Sequence, residues 1–238
     1  MTNKIPRRDL LKMGLAGAGA LVLSAGGIWH YQKPTLANRL LEEFPTNIHG
    51  AKEVKKYEIK GANKTLVHVR QAHINEGITS DQRDYVAKVQ GDIYQILAFL
   101  NIHKKISEVY VEGLTENHEG DSNPDLSFYN IKTGEIIDAP KLLEVEGTIR
   151  LIPAERYESH LRALSRNAIT KDIFDARENI ALDVISRNQN TLNVLVYGGL
   201  HWFGDNINEW NKQHPDRKYS LIEITPESYR EKKWQIKK

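Results

Sequence analysis

Residues 192–201 read Leu192-Asn193-Val194-Leu195-Val196-Tyr197-Gly198-Gly199-Leu200-His201. A run of branched and aromatic residues stops at a glycine pair, and a histidine follows two positions later. Leu192–Tyr197 reads as a strand. The glycines read as a tight strand-to-helix turn, and Gly204–Gln213 reads as the helix after it. The same order recurs outward from this stretch. Thr65–Val69 is a short β-branched run, and Thr79-Ser80-Asp81-Gln82 has the pattern of a capping box. The helix behind it repeats Val86, Val89, Ile93, Ile96, Leu97 and Leu100 on one face. Val109–Val111 and Ile149–Ile152 read as further strands, and Tyr219–Ile224 as the last. Pro140 opens a short helix that runs through Glu146 and stops at Gly147. Residues 154–188 are helical by period and read as two helices meeting near Asn167–Thr170, with Ile173, Phe174, Ile180, Ala181, Val184 and Ile185 on the buried side. Strands alternating with helices predict an α/β domain with a mostly parallel central sheet and helices on both faces.

That domain spans residues 63–226, with a polar insertion at 115–138. Residues 34–62 read as a stalk and lead-in in which Lys55–Ile59 is an edge strand or hairpin arm, and 227–238 as a basic tail. Residues 1–33 read as a targeting segment. Arg7-Arg8-Asp9-Leu10-Leu11-Lys12 precedes an uncharged stretch, Met13–Gln32, rich in glycine and alanine. A basic start followed by a mildly apolar run is an address and not part of the fold. The arginine pair resembles a twin-arginine (Tat) signal, with Pro6 where that pattern more often has Ser or Thr. About 20 uncharged residues also suffice for a membrane anchor helix. The expected partners are the Tat machinery and the membrane. The expected location is the periplasm or extracytoplasmic face of the membrane.

Composition narrows the function. The chain has 238 residues, 33 Lys+Arg, 31 Asp+Glu and no cysteine. No cysteine means no disulfide, no zinc ribbon, no iron–sulfur cluster and no thiol nucleophile. The targeting segment holds five basic residues (Lys4, Arg7, Arg8, Lys12, Lys33) and one acid, Asp9. The remainder has 28 basic and 30 acidic residues, a balance that argues against nucleic acid as a partner. No P-loop, G-x-G-x-x-G after a strand, His-Glu-x-x-His or nucleophile elbow occurs.

In an open α/β sheet the ligand crevice lies at the carboxyl ends of the strands. Strand by strand, those ends lead into Arg70-Gln71-Ala72-His73, Glu112-Gly113, Pro153-Ala154-Glu155 and Gly198-Gly199-Leu200-His201. His73, Glu112, Glu155 and His201 thus fall on one predicted edge. Two imidazoles with carboxylates suit a divalent metal with open positions, and equally suit metal-free general acid–base chemistry. Arg177, on the late charged helix, is placed to reach over the edge to bind an anion or hold a carboxylate. His68 alternates with Val67 and Val69 and reads as a core histidine.

Gln71-Ala72-His73, Val111-Glu112, Arg177-Glu178 and Gly198-Gly199-Leu200-His201 together resemble the TraB/Tiki group and its proposed erythromycin-esterase-like and ChaN-like relatives, over roughly residues 64–224. The resemblance implies a hydrolytic site with a divalent metal held by His73, Glu112 and His201. Arg70 stands where the first motif has glycine, and an arginine there suits an anionic substrate or a carboxylate partner. The expectation is an exported hydrolase of ester or amide bonds, with Glu155 and Arg177 completing the site. The alternatives are a non-catalytic envelope protein binding a small molecule or peptide on the same fold, and an accessory of a larger envelope complex.

Overall fold

The computed structural model describes residues 22–24, 27–29, 35–72, 79–115, 129–130, 135–136, 138–155 and 171–230. The chain divides into two units, Met1–Thr35 and Leu36–Lys238. In the first, β1 (Val22–Ser24) and β2 (Gly27–Trp29) pair antiparallel. The twin arginines and the rest of the segment read as a signal or anchor helix, apart from residues 22–24 and 27–29, lie outside the described residues. Among the described residues, no helix is long and apolar enough to cross a membrane.

The second unit is an α/β fold. In chain order it carries α1 (Leu36–Glu42), β3 (Ala51–Tyr57), β4 (Lys64–Gln71), α2 (Ser80–Lys104) and β5 (Glu108–Thr115). There follow β6 (Tyr129–Asn130), β7 (Glu135–Ile136), α3 (Ala139–Val145), β8 (Arg150–Glu155), α4 (Lys171–Ser186), β9 (Leu192–Gly198), α5 (Phe203–Gln213) and β10 (Tyr219–Pro226). Six strands form one sheet in the order β3-β10-β4-β9-β5-β8. All neighbours run parallel except β3, which closes one edge antiparallel to β10. Strands β4, β5 and β8 step outward, and β9 returns to lie between β4 and β5. That reversal is where an open sheet of this kind forms its crevice.

Period-2 alternation along the strands feeds two cores. On one face Val67, Val69, Val109, Val111, Val194, Val196, Ile222 and Ile224 meet Val89, Ile93, Ile96, Leu97 and Leu100 of α2 and Leu143 of α3. On the other, Leu66, Tyr110, Leu195, Tyr197, Tyr219 and Leu221 meet Ala181, Leu182 and Ile185 of α4 and Phe203 and Ile207 of α5. Helix α2 begins as its sequence predicts. Thr79 is the N-cap, and Thr79 and Gln82 exchange side-chain-to-backbone hydrogen bonds. Its six apolar-stripe residues are all buried.

The strands run past their sequence-predicted ends. β4 continues through Arg70-Gln71, β5 through Glu112, and β8 through Ala154 and Glu155, which the helical period had placed in the next helix. A charge looks like the end of a buried strand, but Arg70, Glu112 and Glu155 each have a close charged partner. The β4–β9 ladder runs on through Gln71, whereas the β5–β8 register shifts between Val111 and Thr115. Strand β3 starts at Ala51 and ends at Tyr57, earlier than the expected Lys55–Ile59. An edge strand carries exposed Lys and Glu on its solvent side. Within the polar insertion, β6 and β7 pair antiparallel. The expected helix junction near Asn167–Thr170 lies outside the described residues. Beyond β10 the chain stays attached: Ser228 donates its N–H to Asp92 Oδ2 at 2.6 Å, and Tyr229 is buried.

Leu97 sits at the centre of the α2 face with no exposed surface. Leu97→Ala is expected to cost about 2–5 kcal/mol of stability, read from the midpoint of urea unfolding.

Candidate functional site

The carboxyl edge gathers groups from four elements. Glu112 comes from β5, Glu155 from the last position of β8, Tyr197 and Gly198 from β9, and Arg177 and Glu178 from α4. His201 lies between β9 and α5.

Arg177 is the hub. Its Nε donates to Glu155 Oε1 at 2.7 Å, and its Nη2 donates to Glu112 Oε1 at 2.7 Å. The guanidinium also lies 5.5 Å from the centre of the Tyr197 ring. Glu155 is 1% exposed and Glu112 9%, so both charges depend on this pairing. Burial works against the Arg177 charge, but the Tyr197 hydroxyl group and the two carboxylates outweigh it and raise its pKa. Tyr197 donates its hydroxyl proton to Glu155 Oε1 at 2.5 Å. Burial first, and then the charges of Glu112 and Glu155, push the Tyr197 pKa well up, so it remains a donor. Glu112 Oε2 accepts the Gly198 N–H at 2.5 Å.

His201 forms the second part of the site. It is 3% exposed, with the Phe174 and Tyr197 rings edge-on to it at 4.6 and 4.5 Å. Glu178 Oε1 lies 3.0 Å from His201 Nδ1 and accepts the Trp202 N–H at 3.1 Å. An ionised carboxylate only accepts, so this contact assigns a proton to Nδ1 and leaves Nε2 of the neutral ring as an acceptor. That nitrogen lies 3.8 Å from Glu112 Oε1.

The glycine pair has a reason other than turn geometry. Neither Gly198 nor Gly199 is among the positive-φ residues. A Cβ on Gly199 would lie 2.0 Å from Tyr229 Oη, so glycine admits the returning C-terminal residue.

Glu112, Glu155, Arg177 and His201 therefore meet at one edge, as the sequence predicts. His73 lies outside the described residues. Arg70 faces a carboxylate, but that of Glu223 on β10: its Nε donates to Glu223 Oε1 at 2.6 Å, and both groups are buried. Within the Arg177-Glu178-Asn179 run, Asn179 is exposed, but Arg177 and Glu178 turn inward and do not present the solvated face of an ordinary charged helix. Glu178 is 2% exposed, and Asn179 Oδ1 accepts from Asn206 Nδ2 at 3.0 Å. Glu178 and Tyr197 are the site residues that sequence reasoning missed. A signal for Glu178 exists, because it stands four residues after Phe174 and three before Ala181, on the buried stripe of α4. An acid in such a stripe needs a buried partner.

His68 is a core histidine, 1% exposed, with Nε2 3.3 Å from the Tyr197 carbonyl oxygen. Burial pushes its pKa down to about 3.

Among the described residues, no group of three or more His, Cys, Asp or Glu is arranged to hold a metal ion. Glu112 Oε1 and His201 Nε2 are close enough to share one small atom or ion. The Arg177 guanidinium, however, sets a fixed positive charge 2.7 Å from that same oxygen, which opposes a divalent cation there. Comparison with known proteins finds no matching protein family, no matching curated protein and no matching solved structure.

Two outcomes follow. Arg177→Met strands two buried carboxylates and is expected to cost about 3–5 kcal/mol, measured by urea unfolding. Arg177→Lys is expected to recover only part of this, because an ammonium cannot match the two-pronged geometry. For His68, the unfolded chain takes up its proton near the ordinary value of 6.5 and the folded protein only near about 3. Between these values the unfolded state binds more protons, so the His68 contribution is complete above about 6.5 and is lost as the pH falls toward about 3. His68→Phe is expected to flatten that acid loss, seen by comparing unfolding at about pH 7 and about pH 4.5.

Proposed function

We propose that this chain is an exported hydrolase of ester or amide bonds in which His201 is the general base. The observation that carries the reading is the Glu178–His201 pair, with Oε1 and Nδ1 3.0 Å apart and both groups buried. A carboxylate on one ring nitrogen fixes the tautomer, aims the other nitrogen and stabilises the imidazolium once it forms. The 3.8 Å from His201 Nε2 to Glu112 Oε1 is too long for a direct hydrogen bond, yet one water oxygen can touch both atoms. His201 would take a proton from such a water as it attacks the substrate carbonyl, and would return it to the leaving oxygen or nitrogen. Arg177 is a positioning residue that pairs with Glu112 and holds it in place.

The resemblance to the TraB/Tiki group supports the same chemistry through Glu112, Arg177 and the Gly198–His201 motif. Its metal reading would place His73, Glu112 and His201 around a divalent ion that activates water. The Arg177 contact to Glu112 favours the metal-free route, and no step above needs a metal. The twin-arginine segment supports export to the periplasmic side. One observation favours the non-catalytic alternative, a ligand-binding or accessory protein of the envelope: the Arg177 network is buried and internally paired, as a structural lock would be.

The test is turnover of a panel of p-nitrophenyl esters and aryl amides by the full chain, with and without EDTA. His201→Ala is expected to lower kcat/KM by about 10²–10⁴. Glu178→Gln is expected to lower kcat, and EDTA is expected to change nothing. Turnover that survives His201→Ala would sink the general-base role. Loss in EDTA with recovery on added zinc would return the metal reading.

A further inference from the structure

We propose that the concavity between β3 and the first turns of α5 binds a trimethylammonium head group. It encloses about 250 Å³ and shares no lining residue with the Arg177 network. The proposal is independent of the hydrolase reading.

Two of its walls are aromatic. The Tyr57 and Trp202 rings, both in the lining, meet edge to face at 82° with centroids 5.3 Å apart. Trp202 is 38% exposed, a large apolar group turned toward solvent directly after the buried His201. Its indole is seated by Gly204, where a Cβ would lie 2.6 Å from Trp202 Cζ2. Ile59, Ile207 and Leu221 continue the apolar wall, and Glu58, Asp205 and Asn208 are the polar residues of the lining. Glu58 Oε1 also accepts from Asn38 Nδ2 at 3.2 Å. Among the described residues that line it, none is Lys or Arg.

These features select a ligand class by elimination. Two carboxylates with no basic side chain in the lining favour a cation. Ring faces attract a cation without desolvating a hydrogen-bonding group. A primary ammonium is a compact, strongly hydrated charge and would lose much of that hydration against a wall that is mostly carbon. A quaternary ammonium spreads its charge over methyl groups and asks for apolar contact alone. The volume leaves room for that head group and the start of its chain.

The experiment is saturation-transfer NMR on the methyl resonance of choline with the full-length chain, read as a competition series. Choline is expected to bind, and its neutral tert-butyl isostere to bind roughly tenfold more weakly or not at all. Asp205→Asn, a near-isosteric change at an exposed position, is expected to weaken choline severalfold, and Trp202→Ala to abolish the transfer. N-acetyl-lysinamide is expected to compete poorly. The proposal is overturned if choline shows no saturation transfer, if the isostere or the lysine amide binds as well as choline, or if choline binding is unchanged in both variants.

Discussion

One guanidinium holds the carboxyl edge of this sheet together. Arg177 reaches from α4 across two strands, and without it Glu112 and Glu155 would be buried carboxylates facing each other. A buried charge is tolerated only with a close and well-oriented partner. The planar fork meets Glu155 through Nε and Glu112 through Nη2, which fixes the rotation and the axial position of α4 together. Glu178 is the next residue on that helix. The register that satisfies Arg177 therefore also delivers Glu178 to His201, and a single helix orientation serves both the ion network and the imidazole.

That shared register binds stability to chemistry. Charges that hold α4 down also define the surroundings of His201 Nε2, so a change at either part is felt by the other. Tyr197 links them directly, because its hydroxyl serves Glu155 while its ring packs edge-on against His201. The other buried ion pair, Arg70 with Glu223, ties β4 to β10 and uses none of these residues. The sheet thus carries one charged lock on each side of β9, and each adjoins a histidine: Glu223 stands opposite His68 in the β10–β4 register, and Glu112 lies 3.8 Å from His201.

Much of this was legible in the residues. The apolar period of α2, its Thr79 cap and the β-branched runs point to the elements that form, because backbone preference and burial agree there. The convergence of Glu112, Glu155 and His201 follows from strand polarity alone, since parallel strands present their carboxyl ends to one edge. Pairings were not legible. Arg70 lies closer in sequence to Glu112 than Arg177 does, yet Glu223 is its partner and Arg177 takes Glu112, and nothing local encodes which strand lies next to which. Strand order decides this, and it depends on long-range packing of both faces. Gly199 was readable as a required glycine, but its cause lay thirty residues away in Tyr229.

The placement of β9 has a consequence for how the chain comes to be made. Strands β4 and β5 flank β9 in the sheet, but residues 116–191 separate β5 from it in sequence. While a ribosome is still producing that stretch, the inner edges of β4 and β5 have no strand between them, and their backbone N–H and C=O groups are open to the wrong neighbour. Both cores need Val194–Tyr197 to close, so neither layer can be completed early. The central strand arrives late and joins partners of high sequence separation, which is the ordering that slows folding. This is a protein whose nascent chain must be kept apart from its neighbours until its last third has emerged.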